Sequence, residues 1–108
     1  MNRLLALAFL FAALCNPIAA GELEDMTAKA EQGDVIDQYD LGVKYYFGID
    51  VPQDYKQAYI WFSVAVTNGY DGAAAKRDKA VLELTPDDLA AAQAEAAALE
   101  KTINALPK

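Results

Sequence analysis

The stretch LGVKYYFGIDVPQDYKQAYIWF, residues 41–62, limits what this chain can fold into more than any other part of the sequence. It is dense in aromatic residues, yet Gly48 and Pro52 interrupt it near the middle. Glycine ends helices readily, and proline pushes the residue before it, Val51, into an extended conformation. The pattern therefore predicts a helical hairpin, which needs further helices to cover its aromatic side chains.

The remainder of the chain also favours helices. Alanine is abundant, charges alternate with apolar residues at helical spacing, and no alternating strand pattern runs for long. We expect an all-α fold with about five helices, paired as antiparallel hairpins in a short α-solenoid. The first helix is predicted from about Glu22 to Gln32. Glu22, Glu24 and Asp25 would lie in its first turn, where the helix dipole favours negative charge, and Gly33 would end it.

Capping residues predict where the later helices begin. Asp34 and Asp54 are predicted N-caps, with Asp37 and Gln57 three residues on to complete capping boxes. Thr85 is a predicted N-cap followed by a proline at the first helical position. The predicted helices run over residues 35–47, 55–68 and 71–84, and from residue 86 onward.

The last predicted helix carries a single apolar stripe. Its members recur at spacings of three and four residues: Leu89, Ala92, Ala96, Leu99, Ile103 and Leu106. A stripe of this kind on an otherwise polar and alanine-rich helix has to be buried. Two covers are open, a neighbouring helix of the same chain or a second copy of the protein, which would make a homo-oligomer.

Residues 1–20 have the features of a cleaved export signal. Arg3 precedes the apolar run Leu4–Leu14, and Ile18-Ala19-Ala20 offers small residues for cleavage. The run is shorter than the roughly 20 apolar residues that span a bilayer, which disfavours an uncleaved anchor. We expect cleavage after Ala20 or Gly21, which leaves a single mature domain over residues 21–108. We expect this domain to be periplasmic or secreted. Lipidation of Cys15 is the alternative.

The composition disfavours most kinds of catalytic site. There is no histidine, and the one cysteine would leave with the signal, so a catalytic triad, a thiol nucleophile and a zinc site all lack their residues. Ser63, the only serine, fits a small residue in a packed helix. Capping explains the carboxylates Asp34, Asp37 and Asp40 and the pair Asp87-Asp88. We expect no enzyme activity, no cofactor and no metal; a hydrolase that uses carboxylates is the less favoured alternative.

The charge balance bears on partners. All 16 acidic residues follow Gly21, and removal of Arg3 leaves eight of the nine basic residues, so the net charge of −7 becomes −8 after cleavage. Binding of phosphates needs basic clusters. We therefore expect neither nucleic acid nor an anionic membrane as a partner, and no membrane insertion after signal removal.

Residues 30–69 resemble a Sel1-like repeat. The matches are Gly33, Gln38, Tyr39, Leu41, Gly42, Tyr45, Gly48, Val51, Pro52, Asp54, Tyr55, Ala58, Trp61, Ala65 and Gly69. Residues 70–108 resemble a degenerate repeat with a C-terminal capping helix. The sequence departs from the family pattern at Asp37, at Asp50 in place of a loop glycine, and at Lys44, which lies four residues after Asp40 and is placed for an ion pair with it.

This resemblance implies a repeat core and a protein-binding role. The core would comprise Leu41, Gly42, Tyr45, Gly48, Ala58, Trp61 and Ala65. Sel1-like proteins of the bacterial periplasm act as adaptors, and solenoids bind partners largely on the first helix of each pair. We expect the partner-binding stripe to be Tyr39, Val43, Tyr46 and Phe47. The alternative is that these rings only cover the first helix.

Overall fold

The structure, a computed structural model, describes residues 17–107, and within this range it contains helices and no strands. The five helices are α1 (Pro17–Glu31), α2 (Val35–Phe47), α3 (Tyr55–Thr67), α4 (Ala73–Val81) and α5 (Pro86–Asn104). This confirms the all-α fold class and the number of helices. The predicted export signal falls mostly on residues 1–16, with Cys15 among them, and so lies outside the described residues. The predicted cleavage position after Ala20 lies within α1.

Asp34 and Asp54 cap α2 and α3 as predicted. Their carboxylates accept hydrogen bonds of 3.0–3.1 Å from backbone N–H groups of the first turn, those of Ile36 and Asp37 for Asp34 and that of Gln57 for Asp54. The reciprocal halves of the capping boxes do not form. The N–H of Asp34 instead donates to the Lys29 carbonyl, and that of Asp54 to the Tyr45 carbonyl. The caps are confirmed, whereas the boxes were wrong because backbone carbonyls already occupy these donors, that of Lys29 in the last turn of α1 and that of Tyr45 in α2.

Two helix boundaries differ from the prediction. Helix α1 begins at Pro17 in the full chain, so Glu22 lies beyond its first turn there; the predicted dipole contact concerns the chain cleaved after Ala20 or Gly21 and stays a prediction. Helix α4 is shorter than predicted: it begins at Ala73, after Gly72 with φ +86° and no side-chain cap, and it ends at Val81. After Val81 the chain continues in turns up to Thr85, whose hydroxyl caps α5 by accepting from a backbone N–H at 3.1 Å. The start of α5 is therefore confirmed.

Helix α3 is the centre of the molecule, packing against α2, α4 and α5. Every side chain from Ile60 to Ala65 is buried. Late residues of α2 and the loop meet early residues of α3, as in the contact of Tyr46 with Tyr55, whereas Gln38 bonds Asn68 at the far end. Helices α2 and α3 are therefore antiparallel.

The residues predicted as a repeat core lie at this α2–α3 contact. Leu41, Gly42, Ala58, Trp61 and Ala65 are buried, and the Trp61 ring is only 5% exposed. Tyr45 and Gly48 are half-buried. Gly48 ends α2 in a left-handed conformation, with φ 69° and ψ 42°, which glycine adopts without steric penalty.

Helix α3 also covers the apolar stripe of α5. Ile60 clusters with Ala92 and Ala96, while Trp61 clusters with Ile103. Leu89 and Leu99 are half-buried, and Leu106 is 37% exposed. The same chain thus provides a cover for most of the stripe. Self-association through it stays a prediction.

Candidate functional site

One side of α2 faces solvent and is largely apolar. Ile36, Asp40, Val43 and Phe47 recur at spacings of four, three and four, which places them on one side of the helix. Ile36 and Phe47 are each 61% exposed, and Val43 is half-buried. We call these four residues the α2 face. Two large apolar side chains exposed on one helix side are more informative than a single exposed leucine, because scattered ones are common on any protein.

The predicted binding stripe overlaps the α2 face only in part. Tyr39 stacks on Tyr70 with ring centroids 4.3 Å apart and lies 5.6 Å from Phe62. Its ring therefore packs against the α3 side of the molecule. Ile36, which sequence reasoning missed, lies on the solvent side instead. The spacing to Val43 and Phe47 was the signal that could have found it.

Tyr46, the third member of the predicted stripe, also has intramolecular contacts. Its ring meets Phe47 edge-on at 4.9 Å and Tyr55 edge-on at 5.3 Å. Edge-to-face pairs of this kind add about 0.5–1.5 kcal/mol beyond the burial of area. Tyr46 is half-buried, whereas Phe47 projects into solvent. Of the four predicted residues, Phe47 is exposed on the α2 face, and Val43 lies on that face half-buried, packed against the cluster of Ala58, Phe62 and Ala80.

A groove between α1 and α2 adjoins the α2 face. One cleft of about 270 Å³ is lined by Met26, Asp40, Val43, Lys44 and Ile49. A smaller one of about 40 Å³ is lined by Glu22, Leu23, Met26, Lys44 and Asp50. The two share Met26 and Lys44 and so form one surface, which we call the α1–α2 groove. Its floor is apolar and its rim carries carboxylates.

The lysine of this groove pairs with the loop, not with its own helix. Lys44 Nζ lies 3.0 Å from Asp50 Oδ2, and the predicted pair with Asp40 does not form. Asp50 adopts φ 63°, a left-handed conformation that aspartate tolerates better than most residues. This turn carries the Asp50 carboxylate back toward Lys44. The Asp40 carboxylate pairs with no lysine or arginine in the described part of the chain.

Charge is distributed unevenly along the chain after residue 20. Residues 21–54 contain nine carboxylates and two lysines, a net charge of −7, whereas residues 55–108 contain seven carboxylates and six basic residues, a net charge of −1. Helices α1 and α2 and their flanking loops therefore provide the acidic side of the molecule. Negative charge of this density attracts cationic partners and repels anionic ones.

The pKa of the Asp37 carboxyl is shifted in part by this negative charge. Burial raises the pKa of its carboxyl above the ordinary 3.8, and Asp34, Asp40 and Asp25 raise it further, while Lys29 opposes the change. The pKa of Lys29 is raised in turn, chiefly by its hydrogen bond to Asp25. Carboxylates of α1, of α2 and of the turn between them thus lie close enough together to raise the pKa of Asp37.

Two hydrogen bonds of the buried Gln38 side chain, which we call the relay, hold the start of α2 in place. Gln38 is fully buried, its Nε2 donates to the Ala30 carbonyl at 3.0 Å, and its Oε1 accepts from Asn68 Nδ2 at 2.8 Å. The relay joins the end of α1, the start of α2 and the end of α3. Asn68 also lines a cleft of about 300 Å³ beside Asn104. Sequence reasoning placed Gln38 in the repeat pattern without foreseeing this role.

The side chains that could take part in catalysis or metal binding, Ser63 and the carboxylates, do not come together in one site within residues 17–107. Ser63 is buried in α3, and its hydroxyl has no hydrogen-bond partner among the described residues. Within residues 17–107 no three acidic side chains are arranged to hold a metal ion. In the same range, none of the helices combines the length and apolarity needed to cross a membrane.

Comparison with known proteins assigns no family. No family model matches the chain, and no curated protein matches it. The resemblance to Sel1-like repeats therefore depends on the sequence pattern of residues 30–69.

Proposed function

We propose that this chain is a non-catalytic protein–protein interaction adaptor built on Sel1-like repeats, acting in the bacterial periplasm or envelope. The observation that carries the proposal is the α2 face, where Ile36 and Phe47 are each 61% exposed on one side of a single helix. Exposed aromatic side chains are frequent anchors in protein interfaces. Residues 1–20, with the features of an export signal, support the location.

The helix arrangement supports the solenoid part of the proposal. Helices α2 and α3 would form the full repeat, and α4 and α5 the degenerate one that follows. The contact of α3 with both α4 and α5 is one that neighbouring repeats of a solenoid make, whereas α4 and α5 do not pack closely on each other as a helix pair. Asp50 stands where the resembled family has a second loop glycine, and its φ of 63° is one that glycine favours. The loop therefore fits the family pattern despite the substitution.

The inventory of side chains supports a non-catalytic role. The chain has no histidine, the commonest general base. Ser63 is its only serine, and no base contacts the buried hydroxyl. General acid–base or nucleophilic catalysis needs a positioned pair of groups. The exposed carboxylates are better explained as helix caps and as the acidic surface described above.

Affinity capture from an envelope extract tests the adaptor role. The wild-type chain is compared with Phe47→Ala and Ile36→Ala, and with Leu82→Ala as the matched control. Leu82 is 83% exposed and follows α4, away from the α2 face. We expect both α2-face variants to lose a captured protein that the control retains, with melting temperatures unchanged for Ile36→Ala and Leu82→Ala and lowered by a few degrees for Phe47→Ala, which loses its edge-on contact with Tyr46. Retention of every captured protein by Phe47→Ala and Ile36→Ala would contradict the proposal.

A further inference from the structure

The α1–α2 groove adjoins the α2 face at Asp40 and Val43, so the two together offer one largely apolar surface along α2. Leu23 and Met26 of α1 and Val43 of α2 form the apolar floor, and Ile36 and Phe47, which line neither cleft, are exposed on the same side of α2 as Val43. From Ile36 to Phe47 the helix rises about 16 Å, or roughly three turns. An amphipathic helix lying in such a groove presents apolar anchors at i, i+3 or i+4, and i+7.

The rim of this surface is negatively charged. Glu22, Asp40 and Asp50 surround the floor. The only basic side chain lining the groove in the described residues is Lys44, and Asp50 neutralises it at 3.0 Å. The net charge of −7 over residues 21–54 therefore acts on whatever occupies the groove.

We infer that the occupant is a cationic amphipathic helix of a partner protein, with apolar residues on one side and lysine or arginine on its flanks. The inference rests on the proposed adaptor function and names the chemistry of the partner. Apolar anchors would fill the floor between α1 and α2, and flanking cations would face Glu22 and Asp40. Complementary charge speeds association and selects against wrong partners.

Other occupants fit the charges less well. A second copy of this chain brings the same acidic half, so two grooves face each other with like charge. Nucleic acids and anionic lipid surfaces carry negative charge as well and are repelled for the same reason. An uncharged apolar helix would cover the apolar floor of the groove, but it would bring no cations to the carboxylates of the rim.

Peptide binding measured by fluorescence anisotropy tests the inference. The probe is a labelled synthetic peptide of about 14 residues, which as a helix spans about 20 Å, with leucines at helical spacing and lysines elsewhere. The matched control peptide has glutamate at every lysine position. We expect the lysine peptide to bind at least about tenfold more tightly than the glutamate peptide. Its affinity should fall as salt rises from about 0.01 M to 0.15 M, where the screening length shortens from about 30 Å to 8 Å.

Variants of the chain locate the bound peptide. We expect Asp40→Lys and Phe47→Ala each to weaken binding of the lysine peptide. The matched controls are Glu95→Lys, which makes the same charge change on the exposed side of α5, and Leu82→Ala. Both controls should bind the lysine peptide nearly as well as the unaltered chain.

The outcomes separate this inference from the adaptor proposal. Equal binding of the two peptides, no binding of either, or an equal effect of Glu95→Lys and Asp40→Lys would overturn the inference. If the glutamate peptide binds as tightly as the lysine peptide or more tightly, and Phe47→Ala weakens its binding, the adaptor role stands and the cationic partner is wrong. If envelope capture is unaffected by Phe47→Ala, the adaptor role fails whatever the peptides show.

Discussion

Gly42 of α2 and Phe62 of α3 lie so close together that a Cβ atom on Gly42 would be 2.5 Å from the ring carbons Cδ1 and Cε1 of Phe62. Real Cβ contacts are never this short. The glycine therefore lets the two helices approach closely over a buried aromatic ring, at a cost of about 1 kcal/mol in helix propensity relative to alanine. This contact sets how α2 presents its other side to solvent.

Gly42→Ala is expected to destabilise the chain by about 1–3 kcal/mol, because the added methyl group overpacks the contact with Phe62 by more than the gain in helix propensity. Urea unfolding measures the change. Adding Phe62→Leu should recover part of the loss, since the smaller side chain leaves room, and a double-mutant cycle isolates that coupling. A Gly42→Ala chain more stable than the unaltered one would show that the contact is loose.

Asn68→Ala is expected to cost about 1–3 kcal/mol, because it leaves Gln38 Oε1 buried without a hydrogen-bond donor. Asn104→Ala is the matched control. Asn104 lines the same cleft and is exposed, and we expect its replacement to change stability by less than about 0.5 kcal/mol. Equal effects of the two substitutions on urea unfolding would contradict the relay.

Ser63→Ala is expected to raise the free energy of unfolding by about 1 kcal/mol, because it removes a buried hydroxyl that has no partner. The alanine side chain fits the same space without one oxygen atom. Chemical unfolding of the unaltered chain and of Ser63→Ala in the same buffer shows whether the free energy of unfolding rises. A clear loss of stability would mean that the hydroxyl has a partner after all.

Asp37→Asn is expected to stabilise the chain at neutral pH, and the gain should fade on acidification. Burial and the neighbouring carboxylates raise the folded-state pKa above 3.8, so the folded state disfavours the ionised form. Below 3.8 the carboxyl is protonated in both states and contributes no difference. As pH rises through 3.8 and then through the folded-state pKa, the unfolded chain ionises more readily and stability is lost. Urea unfolding of the unaltered chain and of Asp37→Asn between about pH 3 and pH 7 measures the difference in stability at each pH. A stability gain of Asp37→Asn that grows on acidification would contradict the prediction.

The sequence was most informative where structure depends on local interactions. Three N-caps were predicted correctly because a cap is decided by one side chain and the backbone within the next turn. The capping boxes failed because Lys29 and Tyr45, from neighbouring elements, supply carbonyls to the same backbone donors. The ion pair of Lys44 failed for a similar reason, since the turn at Asp50 brings a carboxylate that spacing along the helix does not reveal.

The orientation of α2 was the main feature that the sequence did not determine. A helix with aromatic residues on several sides allows more than one stripe to face solvent. Packing on both α1 and α3 turns Tyr39 toward Phe62 and Tyr70, and leaves Ile36 exposed. The relay through Gln38 was equally hidden, because its partners Ala30 and Asn68 are 8 and 30 residues away.

Amide chemical-shift mapping with the lysine peptide tests most directly whether the α2 face and the α1–α2 groove bind a partner. Our account predicts that the largest changes fall on residues of the groove and the α2 face, namely Leu23, Met26, Ile36, Val43, Phe47 and Ile49. Amides of α4 and α5 should change little. Changes concentrated in α4 and α5, with those of α2 unaffected, would contradict the account.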